Sequence, residues 1–403
     1  MTSNALSGKK IVLGVTGSVA VYKAIDLARE LLRRSAEVYT VMSIEAANLV
    51  SPELFKWATG KEVYIEFKGE VGHVALSREC DAMVIAPATA NTIAKVVLGV
   101  CDTPVTLTAL NFMGLKKPVI MVPAMHLAMY DAPQIREAIN KLKSYGVVFV
   151  DPIVDGKTAK FPNIEDIALA TEVSVLRGKD LGGSKILITA GPTREFLDPV
   201  RFLSNPSSGK MGIALAKEAY FRGAEVTLIH GPINKALIPN YLRSIQVVTT
   251  EDMLNAVVKE VTAQSYDAVI LAGAPSDFRF RNVSNLKVDS AIQSLRVELE
   301  ATPKIAIEVR KHFKGLLVGF AAETVNSDLT LLRNKALRKL YERGFNIIVA
   351  NDVSRSDIGF DSDYDEVLIL SDDGLERHVR KTRKELIARE LLDIVRDYLR
   401  RFK

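Results

Sequence analysis

The sequence has little of what stabilises secreted proteins and membrane proteins. Cys80 and Cys101 are the only cysteines among 403 residues, so the chain can form neither a disulfide framework nor a multi-cysteine metal site. No apolar run approaches the roughly 20 residues that cross a bilayer. The polar segment from Met1 to Lys10 lacks the apolar core of a signal peptide. These absences predict a protein of the reducing cytoplasm.

Charge of one sign is also scarce. The sequence has 53 Lys and Arg residues against 48 Asp and Glu residues, a formal net charge of +5, which is too small over this length to indicate a nucleic-acid partner. The basic segment 384–403 has apolar residues at helical spacing. We interpret it as a terminal helix with a solvated basic face rather than a nucleic-acid or membrane contact. A small positive charge suits anionic small-molecule substrates.

The chain contains one pattern twice. With 48% apolar residues, it is long enough for two or three hydrophobic cores. Residues 10–43 and residues 185–229 both read as an apolar strand, a turn of small residues, a helix and a second strand. This repeat predicts two α/β domains. We place them at residues 1–179 and 184–403, and the glycines of segment 178–184 indicate the linker.

Further apolar runs predict the rest of two sheets. They lie at 82–86, 118–123 and 147–150 in the first half and at 268–271, 316–320 and 346–350 in the second. Runs this apolar are typical of parallel strands covered on both faces. We therefore predict two doubly wound, Rossmann-like α/β domains with largely parallel sheets. In such sheets ligands bind beyond the carboxyl ends of the strands.

The turn after the first strand, Gly14-Val15-Thr16-Gly17-Ser18, is suited to a phosphate. Its small residues let backbone amides approach a phosphate at a helix N-terminus, and the hydroxyls of Thr16 and Ser18 add donors. It lacks the dinucleotide fingerprint, because Thr16 replaces a glycine and the next strand ends at Ser43 with no acid for a ribose. One terminal phosphate, as on FMN, fits better than NAD. The alternative is a tight turn with no ligand.

Polar residues also follow two later strands of the first half. Thr89 and Asn91 come after strand 82–86, where they would bond a ring edge or a phosphate, or cap a helix. His126 follows strand 118–123, and His73 precedes a predicted helix. A lone histidine is more often structural than catalytic, so both roles remain open for His73 on this ground.

Taken together, these segments resemble a known family. The motifs are Gly14 to Lys23, His73, Pro87-Ala88-Thr89-Ala90-Asn91-Thr92 and Pro123-Ala124-Met125 with Met129. Their order and separations resemble those of the homo-oligomeric flavin-containing cysteine decarboxylases. Within that group they are similar to the decarboxylase half of the bifunctional phosphopantothenoylcysteine decarboxylase/phosphopantothenate–cysteine ligases. The resemblance implies His73 as the catalytic base, substrate contacts from Asn91, His126 and Met129, and FMN held by Gly17, Ser18, Ser43, Pro87, Ala88, Thr89, Ala90, Asn91 and Met125.

The implied first chemistry is a flavin-dependent decarboxylation. FMN oxidises the cysteine part of the substrate to a thioaldehyde, carbon dioxide is lost, and the resulting enethiol is reduced. Imidazole exchanges protons near neutral pH, which suits His73 to the role of base. This sequence departs from the family twice: His126 replaces an asparagine, and the stretch 155–160 that matches a mobile flap has no cysteine. We predict that flap closure uses Lys157 or Lys160, or that the proton comes from elsewhere.

The second half contains another pattern suited to anions. Hydroxyls, backbone amides and Lys210 are expected to converge near the start of one helix, in the motif Ser207-Ser208-Gly209-Lys210-Met211. It is not a Walker A loop, because Met211 follows Lys210 and Ser204 stands where the first glycine belongs. Asp277 follows strand 268–271, where it would hold a magnesium ion on phosphates or form a turn. Lys287 lies in a predicted loop, either over a triphosphate or as surface charge.

These segments closely resemble the ligase half of the same bifunctional family, so the two resemblances cover nearly the whole chain. The resemblance implies that a nucleoside triphosphate, CTP in bacterial relatives, activates the carboxylate of 4'-phosphopantothenate as an acyl nucleotide. The amine of L-cysteine then displaces the nucleotide. Asn205 would contact the activated carbonyl, Lys287 the triphosphate and Asp277 the Mg²⁺ or Mn²⁺ ion. The expected substrate and nucleotide residues are Gly191, Ser207, Ser208, Gly209, Lys210, Met211, Ala274, Phe320, Ala322, Glu323, Lys339, Arg343, Asn351 and Phe360.

The sequence therefore predicts a bifunctional enzyme that makes 4'-phosphopantetheine from 4'-phosphopantothenate, L-cysteine and CTP or ATP, without a nucleic-acid or membrane partner. Relatives combine trimers of the flavin half with dimers of the ligase half, so we expect a homo-oligomer, up to a dodecamer. Two alternatives stay open. Either the ligase half alone is active beside a flavin-binding remnant, or the chain is a non-enzymatic partner that uses its basic C-terminal helix.

Overall fold

The computed structural model describes residues 4–67, 71–289 and 294–402. The chain divides into two compact units, Met1–Lys179 and Asp180–Lys403. Segment 178–184, predicted as the linker, is not a free connection throughout. Asp180 binds Arg222, with Arg222 Nη2 2.7 Å from Asp180 Oδ2, and Leu181 is buried in the second core. The second unit therefore begins within this segment.

The first unit is built from short strands that alternate with helices. Its strands are β1 (Lys10–Val15), β2 (Glu37–Met42), β3 (Val63–Tyr64), β4 (Ala82–Ala88), β5 (Val119–Pro123), β6 (Met125–His126), β7 (Val148–Phe149), β8 (Ile153–Asp155) and β9 (Thr158–Lys160). Its helices are α1 (Lys23–Arg33), α2 (Ile44–Leu49), α3 (Pro52–Thr59), α4 (Gly72–Glu79), α5 (Ala90–Leu98), α6 (Pro104–Gly114), α7 (Leu127–Tyr130), α8 (Pro133–Ser144) and α9 (Ile164–Leu176). A 3₁₀ helix, Val19–Tyr22, precedes α1.

The main sheet of this unit is parallel and doubly wound. Its strand order is β3-β2-β1-β4-β5-β7. Every residue of β4 is buried, as expected for a central parallel strand covered by helices on both faces. The helix α1 packs Leu27 and Leu31 into the core. The predicted α/β architecture is confirmed for this half.

A second, smaller sheet joins the flap segment to the segment after β5. Its order is β6-β9-β8, and Met125 pairs with Ala159 while His126 pairs with Thr158. Gly156 forms the β8–β9 turn with a φ of +58°, a value that glycine adopts without strain. The short flap is thus a hairpin whose β9 strand runs beside His126.

The second unit has a longer sheet. Its strands are β10 (Lys185–Ala190), β11 (Glu195–Phe196), β12 (Phe202–Leu203), β13 (Glu225–His230), β14 (Arg243–Gln246), β15 (Ala268–Leu271), β16 (Phe278–Phe280), β17 (Leu299–Ala301), β18 (Leu316–Glu323), β19 (Ile347–Asp352), β20 (Tyr364–Ser371) and β21 (Glu376–Arg383). Its helices are α10 (Lys210–Phe221), α11 (Thr250–Ala263), α12 (Ile305–His312), α13 (Leu329–Glu342) and α14 (Lys384–Phe402), with a 3₁₀ helix at Lys235–Leu237.

This sheet is parallel except at one edge. The order is β14-β13-β10-β15-β18-β19-β20-β21, and the strands are parallel from β14 to β19. The last two strands, β20 and β21, are antiparallel additions. The apolar runs predicted the parallel strands, whereas β21 carries mostly exposed charged residues and has no apolar run that would reveal it.

The terminal helix α14 is present, but its basic face is not wholly solvated. Ile387, Leu391 and Val395 are buried, as the helical spacing predicted. Lys384 and Arg389 are also buried, and Arg389 Nε lies 3.0 Å from Glu218 Oε1. The interpretation of a solvated face is wrong for these two residues, because the helix packs its first turns into the unit. Among the helices that the structure describes, none combines the length and the apolar character that crossing a membrane requires.

The two cysteines differ sharply in their surroundings, which gives a test of the first unit. Cys80 is buried, and burial raises the pKa of its thiol to about 12, whereas Cys101 is exposed. Only a thiolate reacts with a disulfide reagent. We predict that one thiol per native chain reacts with such a reagent at pH 8 and that two react in denaturant. The Cys101→Ser variant should show no native reaction. Two rapidly reacting thiols in the native wild type would contradict the packing around β4.

Candidate functional site

The first unit has a cavity of about 290 Å³ at the carboxyl ends of β1, β2, β4 and β5. This is the edge at which doubly wound sheets bind ligands. The cavity is lined by Thr16, Gly17, Ser18, Ser43, Glu45, Thr89, Ala90, Asn91, Thr92, Lys95, Thr103, Thr106, Ala124, Met125, His126 and Met129.

Most residues predicted for the flavin and its substrate meet at this cavity. Those that line it are Gly17, Ser18, Ser43, Thr89, Ala90, Asn91, Met125, His126 and Met129. Pro87 and Ala88 do not line it, because they are buried in β4 behind it. The sequence analysis missed Glu45, Lys95, Thr103 and Thr106. The threonines form a capping box at the start of α6, a pattern that indicates a helix start and carries no ligand signal of its own.

The hydroxyl groups of the β1 turn bind protein rather than pointing free into the cavity. Thr16 Oγ1 donates to the carbonyl oxygen of Pro87 at 2.7 Å and accepts from the amide of Thr89 at 3.2 Å. Ser18 Oγ donates to the carbonyl oxygen of Ala124 at 3.2 Å. The expectation that Thr16 donates to a phosphate is therefore wrong. These hydroxyls instead join the ends of β1, β4 and β5, which leaves backbone amides as the donors of this turn.

Three features of the cavity suit a bound cofactor and substrate. A side chain at Gly17 would place its Cβ atom 2.6 Å from Glu45 Cβ, so the turn and α2 approach too closely for any residue but glycine. Asn91 and His126 are exposed. Within residues 4–67, 71–289 and 294–402, neither makes a side-chain hydrogen bond or ion pair, so both are available to a ligand.

His73 lies in the first turn of α4, outside the residues that line the cavity. Its ring centroid is 5.6 Å from that of Phe67. Its Nδ1 atom is buried and has no hydrogen-bond partner in the part of the chain that the structure describes. Buried polar atoms nearly always have a partner, so this nitrogen retains an unused hydrogen-bonding capacity among the described residues.

The second unit has a cavity of about 210 Å³ between the start of α10 and the carboxyl ends of β15, β18 and β19. Of the residues predicted for the ligase site, those that line it are Asn205, Ser207, Gly209, Lys210, Met211, Ala274, Asp277, Phe320, Ala322, Lys339, Arg343, Asn351 and Phe360. The predicted residues that do not line it are Gly191, Ser208, Glu323 and Lys287. The contacts of these four explain why.

Gly191 supports the motif from behind. Gly191 and Gly209 both have a positive φ, +77° and +78°. A Cβ atom on Gly209 would lie 3.3 Å from the amide nitrogen of Gly191. The two backbones therefore pack against each other, and Gly191 shapes the start of α10 without reaching the cavity.

The motif at the start of α10 is tied to the loop between β19 and β20. Ser208 Oγ donates to the carbonyl oxygen of Phe360 at 2.9 Å, which turns it away from the cavity. Lys210 Nζ donates to the carbonyl oxygen of Asp361 at 2.9 Å and lies 2.8 Å from Asp363 Oδ1. The hydrogen bond from Lys210 lowers the pKa of Asp363. In this structure the lysine expected at a phosphate is already paired with an acid.

Glu323 lies behind the cations of α13. It forms ion pairs with Lys339 and with Lys335, the latter at 3.3 Å. Burial acts to raise the pKa of Glu323, but the two lysines outweigh it, so the pKa is lowered. Arg343 is the third cation on this side of the helix. Its guanidinium has no hydrogen bond or ion pair among the described residues, so it is ready for an anion.

The amide orientation of Asn205 is set by its neighbours. Its Nδ2 donates to the carbonyl oxygens of Ala274 at 3.3 Å and Pro275 at 3.0 Å. Carbonyl oxygens only accept, so the nitrogen must face them and Oδ1 is left for a ligand. Asn205 therefore presents an acceptor rather than a donor.

Asp365 and Lys384 line the second cavity and were missed by the sequence analysis. Asn351 Nδ2 donates to both carboxylate oxygens of Asp365 at 3.2 Å. Lys384 Nζ donates to the carbonyl oxygen of Gly359 at 2.7 Å. Burial raises the pKa of Asp365 and lowers the pKa of Lys384. Neither had a usable signal, because Asp365 lies in an acidic stretch and Lys384 in a basic one.

Lys287 is exposed and does not reach the cavity. The adjacent Val288 amide donates to Asp198 Oδ2 at 3.1 Å, and Arg201 Nη1 donates to the Val288 carbonyl oxygen at 3.0 Å. The loop is thus anchored beside Lys287 while the lysine side chain has no partner in the described chain. The structure does not bring it to the triphosphate residues by itself.

Asp277, the predicted metal ligand, is occupied by a lysine. Asp277 Oδ1 lies 2.5 Å from Lys304 Nζ. Across the described residues, no group of three or more His, Cys, Asp and Glu side chains is placed to hold a metal ion. Mg²⁺ commonly uses one or two carboxylates together with substrate phosphates. The residues therefore fit a magnesium ion that arrives with a nucleotide, and they form no metal site of their own.

Comparisons with known proteins agree with both halves. The flavoprotein family matches residues 1–175, and the DNA/pantothenate metabolism flavoprotein C-terminal domain matches residues 181–399. The coenzyme A biosynthesis bifunctional protein CoaBC of Thermococcus kodakarensis is 43% identical over 394 residues, which cover 96% of this chain and 95% of that protein. The CoaBC protein of Methanocaldococcus jannaschii is 37% identical over 389 residues, covering 96% and 93%.

A solved structure resembles the second half. The crystal structure of the C-terminal domain of a CoaBC protein has 38% sequence identity and a TM-score of 0.45, and it covers 55% of this chain and 98% of that chain. The family expected from the sequence motifs is confirmed by the full-length relatives. The chain belongs to the CoaBC family of bifunctional coenzyme A biosynthesis enzymes, flavoproteins in which one chain carries a phosphopantothenoylcysteine decarboxylase and a phosphopantothenate–cysteine ligase.

Proposed function

We propose that residues 184–403 join 4'-phosphopantothenate to L-cysteine and that residues 1–179 decarboxylate the product to 4'-phosphopantetheine, in the cytoplasm. One observation carries the proposal: in each unit, residues from motifs far apart in the sequence converge on a single cavity at the carboxyl ends of parallel strands. The two cavities differ in chemistry. The first is lined mainly by hydroxyl, amide and thioether groups and includes the single cation Lys95 and the acid Glu45, whereas the second contains the cations Lys210, Lys339, Arg343 and Lys384.

The cations of the second cavity support binding of a nucleoside triphosphate, CTP or ATP. Lys339 and Arg343 lie on one side of α13 and would bind phosphate oxygens, while the start of α10 offers backbone amides to a further phosphate. Lys287 would join them when its loop closes over the nucleotide. A carboxylate is a poor acyl donor, so the substrate carboxylate is first activated as an acyl nucleotide with release of pyrophosphate.

Asn205 would orient the nucleophile in the second half-reaction. Its Nδ2 is engaged with two carbonyl oxygens, so Oδ1 accepts a hydrogen bond from the amine of cysteine. This contact directs the nitrogen lone pair at the acyl carbon, and correct orientation of this kind contributes strongly to rate. The proposal places Asn205 at the attacking amine rather than at the carbonyl oxygen.

Mg²⁺ or Mn²⁺ would bind with the nucleotide, with Asp277 as its protein ligand. When bound, the ion neutralises part of the phosphate charge during release of pyrophosphate.

FMN would occupy the first cavity, with the turn at Gly17 and Ser18, the α2 start at Ser43 and the α5 start at Thr89 around it. When bound, FMN supplies the oxidation of the cysteine part of the substrate that permits loss of carbon dioxide. Asn91 and His126 have free polar atoms and would hold the substrate carboxylate. His73 Nδ1 would accept the proton that the substrate releases.

Self-association would complete the first site. Val19 and Ile44, beside the cavity turn and α2, are exposed by 84% and 62%. Exposed apolar residues beside a ligand cavity are typical of an interface between subunits. We propose a homo-oligomer in which the flavin half forms trimers, the ligase half forms dimers, and His73 of one subunit serves the cavity of another.

The central prediction is that the two reactions occur in sequence on one protein. Full-length protein supplied with 4'-phosphopantothenate, L-cysteine, Mg²⁺ and CTP or ATP should release pyrophosphate and carbon dioxide in equal amounts. Pyrophosphate and carbon dioxide are measured separately, and bound flavin is read from visible absorbance. Absence of pyrophosphate with every nucleoside triphosphate would refute the ligase reaction. Pyrophosphate without carbon dioxide would support the alternative of a flavin-binding remnant.

Two substitutions should separate the half-sites. His73→Ala removes the proposed base, so carbon dioxide release should fall on the order of 100-fold or more, while pyrophosphate release stays at the wild-type rate. Asn205→Ala removes the acceptor for the amine, so the acyl nucleotide should accumulate while amide formation stalls. Each variant is the control for the other. A His73→Ala protein that decarboxylates at the native rate would refute the role of His73.

The flap hairpin gives a further prediction, because it lacks the cysteine that many relatives carry. Lys157 is in its turn, and the amide of Leu127 donates to the Lys157 carbonyl oxygen at 3.0 Å, beside His126. Lys157→Ala or Lys160→Ala should slow carbon dioxide release and leave ligation unchanged. Lys141→Ala, on the exposed face of α8, is the matched control. Normal decarboxylation by both flap variants would show that neither lysine takes part.

A further inference from the structure

Hydrogen bonds of Thr302 place Lys304 beside Asp277. The amide of Thr302 donates to the carbonyl oxygen of Asp277 at 3.0 Å, and Thr302 Oγ1 donates to the carbonyl oxygen of Ser276 at 2.6 Å. Strand β16 pairs with β17, with Phe278 opposite Ala301. These contacts hold Lys304, the residue before α12, against the segment that follows β15 and contains Asp277. Lys304 therefore faces Asp277.

Lys304 also lines a cleft that continues the nucleotide cavity. A space of about 90 Å³ is bounded by Lys304, Thr302, Asp277 and Arg343. Gly273, Pro275, Asp277, Phe320 and Arg343 line both this space and the larger cavity. Two cations, Lys304 and Arg343, thus line this cleft. Asp277 is the one acidic residue among the described residues that line it.

The ion pair between Lys304 and Asp277 is of a kind that a ligand can open. Their side chains are exposed by 39% and 67%, and pairs with this much solvent contact contribute little to stability. A free divalent cation gains one carboxylate at Asp277 and must displace an ammonium to reach it. A nucleotide–metal complex brings phosphate oxygens that accept from Lys304 at the same time. The exchange is therefore more favourable when nucleotide and metal arrive together.

We propose that Lys304 is a nucleotide phosphate-binding residue that blocks Asp277 in the free protein, so that the metal ion binds more favourably with the nucleotide. The inference rests on the proposed ligase function and adds a residue and a binding order to it. It makes Lys304 a determinant of binding, whereas the orientation of cysteine stays with Asn205. No bond is made or broken by Lys304; its ammonium exchanges a carboxylate for a phosphate.

The test compares Lys304→Met with Lys311→Met. The control removes the same charge from the same segment, since Lys311 is exposed on α12 and paired with Glu308. Mn²⁺ binding to the full-length, nucleotide-free protein is measured from the electron paramagnetic resonance signal of the free ion. Removing a positive charge a few ångströms from the ion should strengthen Mn²⁺ binding about tenfold in Lys304→Met. Adding Asp277→Asn should abolish that gain.

The second readout is the KM for Mg²⁺–nucleotide, followed by pyrophosphate release. Loss of a charged hydrogen bond to phosphate should raise this KM about tenfold or more in Lys304→Met, while the KM for L-cysteine stays unchanged. Lys304→Arg should retain most of the affinity, and Lys311→Met should match the wild type in both assays.

The outcomes separate this proposal from the function on which it rests. If Lys304→Met matches Lys311→Met in Mn²⁺ binding and in nucleotide KM, the role of Lys304 is refuted and the ligase function stands. Wild-type protein that binds Mn²⁺ without nucleotide as tightly as Lys304→Met refutes the proposed block at Asp277. Wild-type protein that releases no pyrophosphate with any nucleoside triphosphate refutes the ligase function, and this proposal with it.

Discussion

The direction of parallel strands is the constraint on which both sites depend. A parallel sheet requires every connection to cross over a face, so the carboxyl ends of all its strands meet at one edge. The segments that leave this edge must pass close to one another. In the first unit they are joined by the hydroxyls of Thr16 and Ser18, and in the second by the contact between Gly191 and Gly209. Each cavity is the space that remains around these junctions, and its polar groups are those the strand ends bring there.

This constraint explains how far the sequence was informative. The apolar runs located the parallel strands to within a few residues, and β15 matches its predicted bounds, because burial on both faces leaves a continuous apolar signal. The hairpin of β20 and β21 left no such signal, because β21 is an exposed edge strand rich in charge. Most of the residues that the motifs named line one of the two cavities. The orientation of their polar atoms was beyond reach, since the partners of Thr16 and Asn205 come from distant segments.

Lys287 and His73 were named by sequence motifs, but neither lines a cavity in this chain, and one explanation covers both. Lys287 is on an anchored but exposed loop, and His73 has a buried nitrogen without a partner in the described chain. Under the proposed function, the partner of Lys287 would be a nucleotide and the partner of His73 a substrate, and neither group belongs to this chain. Such residues differ from Pro87 and Ala88, whose burial inside β4 gives them a structural explanation within this chain.

The second cavity and the cleft beside it hold several cations, and most of them are paired with acids. Lys210 is paired with Asp363, Lys339 with Glu323 and Lys304 with Asp277, whereas Arg343 and Lys384 have no ion pair with an acid among the described residues. Clustered cations repel one another, and nearby acids remove most of that cost in the ligand-free state. These acids compete with phosphates for the cations, and because the acids stay in place, a bound triphosphate would add net negative charge that a metal ion arriving with it would offset. For this reason a net charge of +5 over the whole chain does not reveal this cluster, because most of its cations are balanced by nearby acids and a sum over the sequence averages them away.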